Sequence, residues 1–128
     1  MGIGPRGLQP QADSPIMELI QATVVQDLKH AAPAAPRRLI VVSDMMQHSK
    51  EYSQYRGTDG EVFFHGPLFD KVATDLTGID VRVLYIRRVS GASRQPAGHE
   101  QFWANYFNRL GARTFVIAPV EGAAWKNR

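Results

Sequence analysis

Three short apolar runs constrain this chain more than any other feature of its sequence. The first, LIVV at 39–42, is rich in β-branched residues and does not alternate between apolar and polar positions. That pattern is typical of a strand buried on both faces, as in a parallel sheet. Similar runs, VRVLYI and TFVIA, follow at 81–86 and 114–118. We therefore predict three parallel strands, over about 39–43, 81–86 and 114–118.

Amphipathic patterns lie before and between these runs, and each repeats apolar residues at the i, i+3 and i+4 spacing of a helix. The patterns cover 16–30, 67–76 and 99–110. Ser14 is a preferred N-cap residue, and Pro15 suits the first helical position. Helices that alternate with buried strands are typical of an α/β protein. We therefore predict a three-layer, Rossmann-like fold in which helices flank a short parallel sheet.

The composition fits one small domain and excludes several classes of protein. The chain has 128 residues, and no apolar run approaches the ~20 residues that cross a bilayer, so we expect no membrane contact. It has no cysteine, which excludes disulfides, thiolate zinc sites and a cysteine nucleophile. The net charge of +3 is a weak excess, so a nucleic acid partner is not expected. We divide the chain into a flexible leader at 1–13, one domain at 14–120 and a C-terminal tail at 121–128.

A search for catalytic motifs assigns no catalytic residue. The four histidines are scattered without metal-ligand spacing, and no G-x-S-x-G nucleophile motif occurs. Gly2, Gly4 and Gly7 match the G-x-G-x-x-G dinucleotide motif, but no strand precedes them to position a phosphate-binding loop. We therefore expect a protein that is not an enzyme. The alternative is a small α/β enzyme or nucleotide-binding protein that uses the crevice at the strand ends.

Two oxygen-bearing side chains are candidate metal ligands. Asp44 follows the first predicted strand, and Ser14 opens the first predicted helix. A carboxylate and a hydroxyl that meet at a strand end can supply oxygen ligands to Mg²⁺ or Mn²⁺. The alternative interpretation is structural, with Ser14 capping its helix and Asp44 capping a turn.

Several segments resemble the C-terminal half of a von Willebrand factor A-type (VWA-like) domain. Ser14-Pro15-Ile16 opens a helix that leads to RRLIVVSD, and the later strings VRVLYIRR, HEQFWANYFNRLGA and TFVIAPV resemble the fifth strand, last helix and last strand of that domain. More narrowly, SDMMQHSKEYSQYR and HEQFWANYF are similar to bacterial VWA-like proteins of unassigned function. The resemblance covers roughly residues 14–120 and implies a truncated domain that lacks its first three strands.

The resemblance also implies an incomplete metal site. In VWA-like domains Mg²⁺ is held by an Asp-x-Ser-x-Ser motif, a threonine and a later aspartate, which form the metal-ion-dependent adhesion site (MIDAS). Ser14 takes the place of the threonine and Asp44 that of the aspartate, but this chain has no counterpart of the Asp-x-Ser-x-Ser motif. Because Mg²⁺ prefers about six oxygen ligands, we expect this metal to bind weakly and no cofactor to bind tightly.

Two long segments after the strand ends are candidate partner-binding loops. They run over 47–66 and 87–98, at the edge where open α/β sheets place their ligands. We therefore predict a non-enzymatic protein-binding module whose partner is a protein. A degenerate reading frame with no independent role is a further alternative. The candidate contact residues are Tyr52, Tyr55, Arg56, Arg87 and Arg88.

The missing strands implied by the resemblance predict a homodimer. VWA-like sheets have the strand order 3-2-1-4-5-6, so the strand at 39–43 would lack a neighbour and expose unpaired backbone groups. Pairing with a second copy would restore a six-stranded sheet. The alternatives are that residues 1–13 cover this edge or that the chain is cut from a longer protein. A cytoplasmic location is expected only by default, because a missing N-terminal half could have carried a signal.

Overall fold

The protein is described here by a computed structural model. Most of the predicted leader at 1–13 and of the predicted tail at 121–128 lies outside the described residues. The described residues are 13–28, 35–49, 51–57, 60–88 and 95–121.

The helices and strands of the described residues alternate along the chain. Within this part of the protein, no helix is long and apolar enough to span a bilayer. In chain order the elements are α1 (Ile16–Thr23), which continues as a π-helical turn (Val24–Leu28), β1 (Arg37–Ser43), a 3₁₀ turn (Gln54–Arg56), α2 (Gly60–Phe64), α3 (Pro67–Val72), β2 (Ile79–Arg87), α4 (His99–Arg109) and β3 (Thr114–Glu121).

The three strands form one parallel sheet in the order β1-β2-β3. The register places Val41 beside Val83, and Val83 beside Ile117. Each observed strand contains the strand that was predicted from its apolar run. The prediction of an α/β fold, with a short parallel sheet flanked by helices, is therefore confirmed, and the arrangement is consistent with a Rossmann-like fold.

The segment at 47–66, predicted as a long loop, contains regular structure that its sequence pattern does not indicate. It holds the 3₁₀ turn and α2, and both Phe63 and Phe64 are buried. The next helix, α3, is shorter than predicted and ends at Val72, because Ala73 is extended with φ −65° and ψ 143°. This segment is therefore packed into the domain, which restricts how much of it a partner can reach.

The hydrophobic core lies on one face of the sheet. Alternate strand residues, among them Leu39, Val81 and Val83, join a single cluster with side chains from each of the helices α1 to α4. The largest fully buried members, Trp103 and Tyr106, come from α4. This packing fixes the start of α4 beside the carboxyl end of the sheet.

The opposite face of the sheet is open to solvent. Ile40, Val42 and Val116 are 55%, 53% and 46% exposed. The prediction that 39–42 is buried on both faces is therefore wrong for Ile40 and Val42, and the described residues form two layers rather than the predicted three. The reason lies in the strand order: right-handed crossovers that always step in the same direction place their helices on the same side of a sheet.

Candidate functional site at the strand ends

Asp44 follows β1 and anchors the turn by which the chain leaves the sheet. Its Oδ1 accepts a hydrogen bond from the Met46 amide at 3.1 Å, and its Oδ2 accepts one from Arg88 Nε at 2.9 Å. In the same turn, Ser43 Oγ accepts from the Met45 amide at 2.9 Å. Asp44 therefore caps a turn and forms an ion pair with Arg88, which lies just beyond the end of β2.

Ser14 does not cap α1 with its side chain. Pro15 occupies the N-cap position of α1, and this cap has no side-chain hydrogen bond. Ser14 forms an antiparallel bridge with His48, with N to O distances of 2.9 and 3.0 Å in the two directions. The interpretation of Ser14 as a helix cap is therefore wrong, because this residue uses its backbone to hold the chain beside His48.

Ser14 and Asp44 do not make a donor set that fits Mg²⁺. Both carboxylate oxygens of Asp44 already accept hydrogen bonds from protein donors, and one of these donors is the cationic Arg88. A metal ion on Asp44 would compete with this guanidinium for the carboxylate and would be repelled by its charge. Across the described ranges, no group of three or more His, Cys, Asp or Glu side chains is placed to hold a metal ion.

A crevice of about 410 Å³ opens at the carboxyl end of β2. The Gln95 side chain links two walls of this crevice by hydrogen bonds. Its Oε1 accepts from the Arg88 amide at 2.8 Å, and its Nε2 donates to the carbonyls of Ile86 at 2.8 Å and Asp44 at 3.2 Å. The sequence does not reveal this role, because it depends on contacts with two separate strand ends. The crevice is lined by residues that include Tyr85, Arg87, Arg88, Gln95, His99 and Glu100.

His99, the first residue of α4, is 2% exposed and fully hydrogen-bonded. Its Nε2 lies 2.8 Å from the Met45 carbonyl oxygen and 2.9 Å from Gln54 Oε1, and both of these atoms are acceptors. Its Nδ1 lies 2.5 Å from the Tyr85 hydroxyl. We infer that Nε2 carries the proton and that Nδ1 accepts from Tyr85.

Burial determines the protonation of this pair. It lowers the pKa of His99 to about 4, although the Met45 carbonyl and the charge of Asp44 act in the opposite direction. Burial also raises the pKa of Tyr85 above its ordinary value of 10.0. The imidazole is therefore neutral and the phenol protonated near neutral pH. This is a fixed structural bond rather than a group poised to exchange protons with a substrate.

Met45 has the positive φ of 59° that ordinarily favours glycine. Its carbonyl accepts from His99 Nε2 and from Trp103 Nε1, the latter at 2.9 Å. These two ring donors hold a strained backbone immediately after Asp44. Sequence reasoning missed this feature because a positive φ at a methionine has no local sequence signal.

The predicted contact residues Arg87 and Arg88 line the same crevice, so the structure brings these two together. Arg88 is engaged by Asp44, whereas Arg87 is exposed and makes no ion pair with a described residue. Arg56 ends the 3₁₀ turn, and its side chain lies outside the described part of the protein. Of the two arginines that line the crevice, Arg87 is therefore the one without an ion pair to a described residue.

The two predicted contact tyrosines lie elsewhere. The Tyr52 ring packs against Phe63 with centroids 4.7 Å apart, and it lines a separate groove of about 390 Å³ beside α2 and α3. Tyr55 is partly buried, with its ring edge-on to His48 at 5.5 Å. The structure therefore does not bring Tyr52 and Tyr55 to the arginine-lined crevice.

The fold and this site define the chain as an α/β protein with a parallel sheet and a crevice at the carboxyl edge. No protein-family model, curated protein or solved structure matches the chain. The resemblance to VWA-like domains therefore stays a prediction from the sequence.

Proposed function

We propose that this chain is a non-enzymatic protein-binding module, similar to the C-terminal half of a VWA-like domain, and that it forms a homodimer through β1. The observation that carries the proposal is the open edge of β1. This strand pairs with β2 on one side, and no described residue pairs with its other side. Such an edge presents unpaired backbone donors and acceptors to another chain.

The side chains along β1 are compatible with antiparallel pairing of two copies. The central residues at 39–42 are uncharged, so no like charges meet in the middle of the join. A register centred on Val41 would place Ile40 of one copy opposite Val42 of the other, which is an apolar pair. The joined sheet would have six strands, three parallel strands from each copy. The two β1 strands at the join would be antiparallel.

The strand-end crevice is a second contact area in this proposal. Arg87 lies at the end of β2, makes no ion pair with a described side chain, and would pair with a carboxylate of a protein partner. Two other ionisable groups there, Asp44 and His99, favour binding over chemistry. Asp44 is neutralised by Arg88, and both nitrogens of the buried His99 are bonded within the protein.

The mass of the full chain in solution tests the homodimer. Sedimentation equilibrium at micromolar concentration should give twice the chain mass of 14.3 kDa. Because the chain has no cysteine, introduced cysteines report the pairing directly. Oxidising a mixture of Ile40→Cys and Val42→Cys should give a disulfide-linked dimer, since directly opposite residues have Cβ atoms about 4.5–5.5 Å apart.

Val62→Cys is the matched control for cross-linking. Val62 is 70% exposed on α2 and is not part of the sheet. The control should form little dimer under the same oxidation. A monomeric mass, together with cross-linking of Val62→Cys as strong as that of the β1 mixture, would contradict the homodimer.

A small α/β enzyme or nucleotide-binding protein is the second candidate, and the crevice of about 410 Å³ favours it. Arg87 and Arg88 would supply positive charge for an anionic ligand. Thermal unfolding separates the candidates, because a ligand that binds only the folded state raises the unfolding midpoint. A rise with any nucleotide would favour this second candidate, and unchanged midpoints would favour the binding module.

A further inference from the structure

The face of the sheet opposite the core is a separate surface with a defined chemical pattern. Its side chains fall into rows across the three strands, and each row joins neighbours in the strand register. The first row is polar and the third is apolar, while Arg82 lies at the centre of the middle row. From the amino to the carboxyl end, the rows are Arg38-Asp80-Thr114, Ile40-Arg82-Val116 and Val42-Leu84-Ala118.

Arg82 lies between two exposed β-branched residues. Ile40 on one side is 55% exposed, and Val116 on the other is 46% exposed. The Arg82 side chain is itself exposed and makes no ion pair or hydrogen bond with a described residue. Covering this cation with a purely apolar surface would be costly, because an unpaired charge would lose its water.

The nearby carboxylate of Asp80 is already engaged. Its Oδ1 accepts from Arg113 Nε at 3.0 Å and from Thr114 Oγ1 at 2.8 Å, and its Oδ2 accepts from Arg113 Nη2 at 2.6 Å. Among the described residues of this face, Arg38 and Arg82 are therefore the cations left without an ion pair. The face carries an excess of positive charge that a negatively charged partner would complement.

The shape of the face suits a helix. A depression of about 360 Å³ is lined by Ile40 and Val116 together with polar and charged residues, among them Arg38, Asp80, Arg82 and Thr114. The rows extend over roughly 13 Å along the strands, which is the length of a helix of about 9 residues. Helices are also the elements that ordinarily cover parallel sheets.

We propose that this face docks an amphipathic α-helix of a partner protein, with its apolar stripe on Ile40, Val42 and Val116 and a carboxylate paired with Arg82. The charge of Arg82 decides the chemistry of the partner, because a basic or uncharged helix would leave this cation unpaired beneath it. The inference rests on the proposed protein-binding role, but it uses a surface distinct from the β1 edge and from the crevice.

A displayed library of amphipathic helical peptides, selected on the full chain, tests the inference. Enriched peptides should combine an apolar stripe at i, i+4 and i+7 with Asp or Glu at one fixed position. Arg82→Glu should weaken their binding at least about tenfold, because it sets two carboxylates against each other. Replacing the peptide's acidic residue with Lys should restore binding to the Arg82→Glu variant.

Lys71→Glu is the matched control, since Lys71 is an exposed cation on α3 and lies outside this face. It should leave peptide binding unchanged. Arg82→Glu should also leave the sedimentation mass of the protein unchanged, and this result separates the helix-docking inference from the proposed homodimer. A change of mass would assign the face to contact between copies and overturn the inference.

Three further results would overturn it. The selected peptides could share no acidic position, they could bind Arg82→Glu as well as the unmodified chain, or the library could show no enrichment over an unrelated protein. Cosedimentation with phosphatidylserine vesicles that depends on Arg82, in the absence of peptide binding, would assign the face to a membrane surface instead.

Discussion

Val83 and Val42 are the same residue type on neighbouring strands of one sheet, yet their surroundings are opposite. Val83 is completely buried in the core, whereas Val42 is 53% exposed on the other face. The helices α1 to α4 all contribute side chains to the cluster that contains Val83. The comparison shows that burial in this sheet is decided by which face the helices cover, and not by the apolar character of the strand residues.

The largest expected effect comes from the covered face. Trp103→Ala should lower the free energy of unfolding by about 3–5 kcal/mol, because it removes a large core side chain. Trp103 is fully buried, and its indole also donates to the Met45 carbonyl at 2.9 Å. Denaturant unfolding measures the loss. Val116→Ala on the open face should cost about 0.5 kcal/mol or less, and equal losses for the two variants would break the distinction between the faces.

The next effect is a pH dependence that comes from His99. Its pKa is 6.5 in the unfolded chain and about 4 in the folded protein, so between these values the unfolded state binds the extra proton. The stabilisation is complete above pH 6.5 and is lost as the pH falls toward 4, by about 3 kcal/mol in total.

Unfolding measured across this range should show the slope in the unmodified chain and not in His99→Gln. His65→Gln is the control, because His65 is exposed on the turn after α2. A His65→Gln variant that removes the slope, with His99→Gln leaving it in place, would show that the covered face does not hold a neutral imidazole.

The two valines provide the most direct test of the comparison. Val83→Ala should cost about 2 kcal/mol, from the lost methyl groups and the cavity that they leave. Val42→Ala should cost about 0.5 kcal/mol or less, since Val42 is already largely in water. Denaturant midpoints at constant slope give both values. A cost for Val42→Ala that approaches that of Val83→Ala would mean that something covers the open face.

The strands could be predicted from the sequence because an unbroken β-branched run favours extended backbone wherever it packs. The number of buried faces could not be predicted, since the run at 39–42 has the same pattern whether one face or two are covered. The decision depends on the direction in which successive strands are added, and this is a property of the whole chain. The same limit explains why the helix at α2 was predicted as loop: its burial depends on packing against α4.

The candidate site was predicted only in part for a related reason. Asp44 could be placed at a strand end and in a turn from its position after β1. Its pairing with Arg88 and the role of Gln95 join residues that are 44 and 51 positions apart. His99 carries no local sign of burial, because its partners come from β2 and from the segment before α2.

The smallest expected effect is on the open face. The pKa of Asp80 on this face and the pKa of His99 in the core are both lowered, but for different reasons. Burial lowers the pKa of His99, whereas hydrogen bonds from Arg113 and Thr114 lower the pKa of Asp80 from 3.8 to about 2. The contribution of Asp80 to stability is therefore present above pH 3.8 and is lost as the pH falls through 2.

An NMR titration of the Asp80 carboxyl group should give this low value, and Arg113→Ala should return it toward 3.8. Added salt separates the two causes, since ions screen an exposed pair and do not reach a buried ring. High salt should therefore raise the pKa of Asp80 and leave that of His99 unchanged. If salt shifted the pKa values of Asp80 and His99 equally, the two groups would have the same access to water. The difference between the two faces of the sheet would then lie in packing alone.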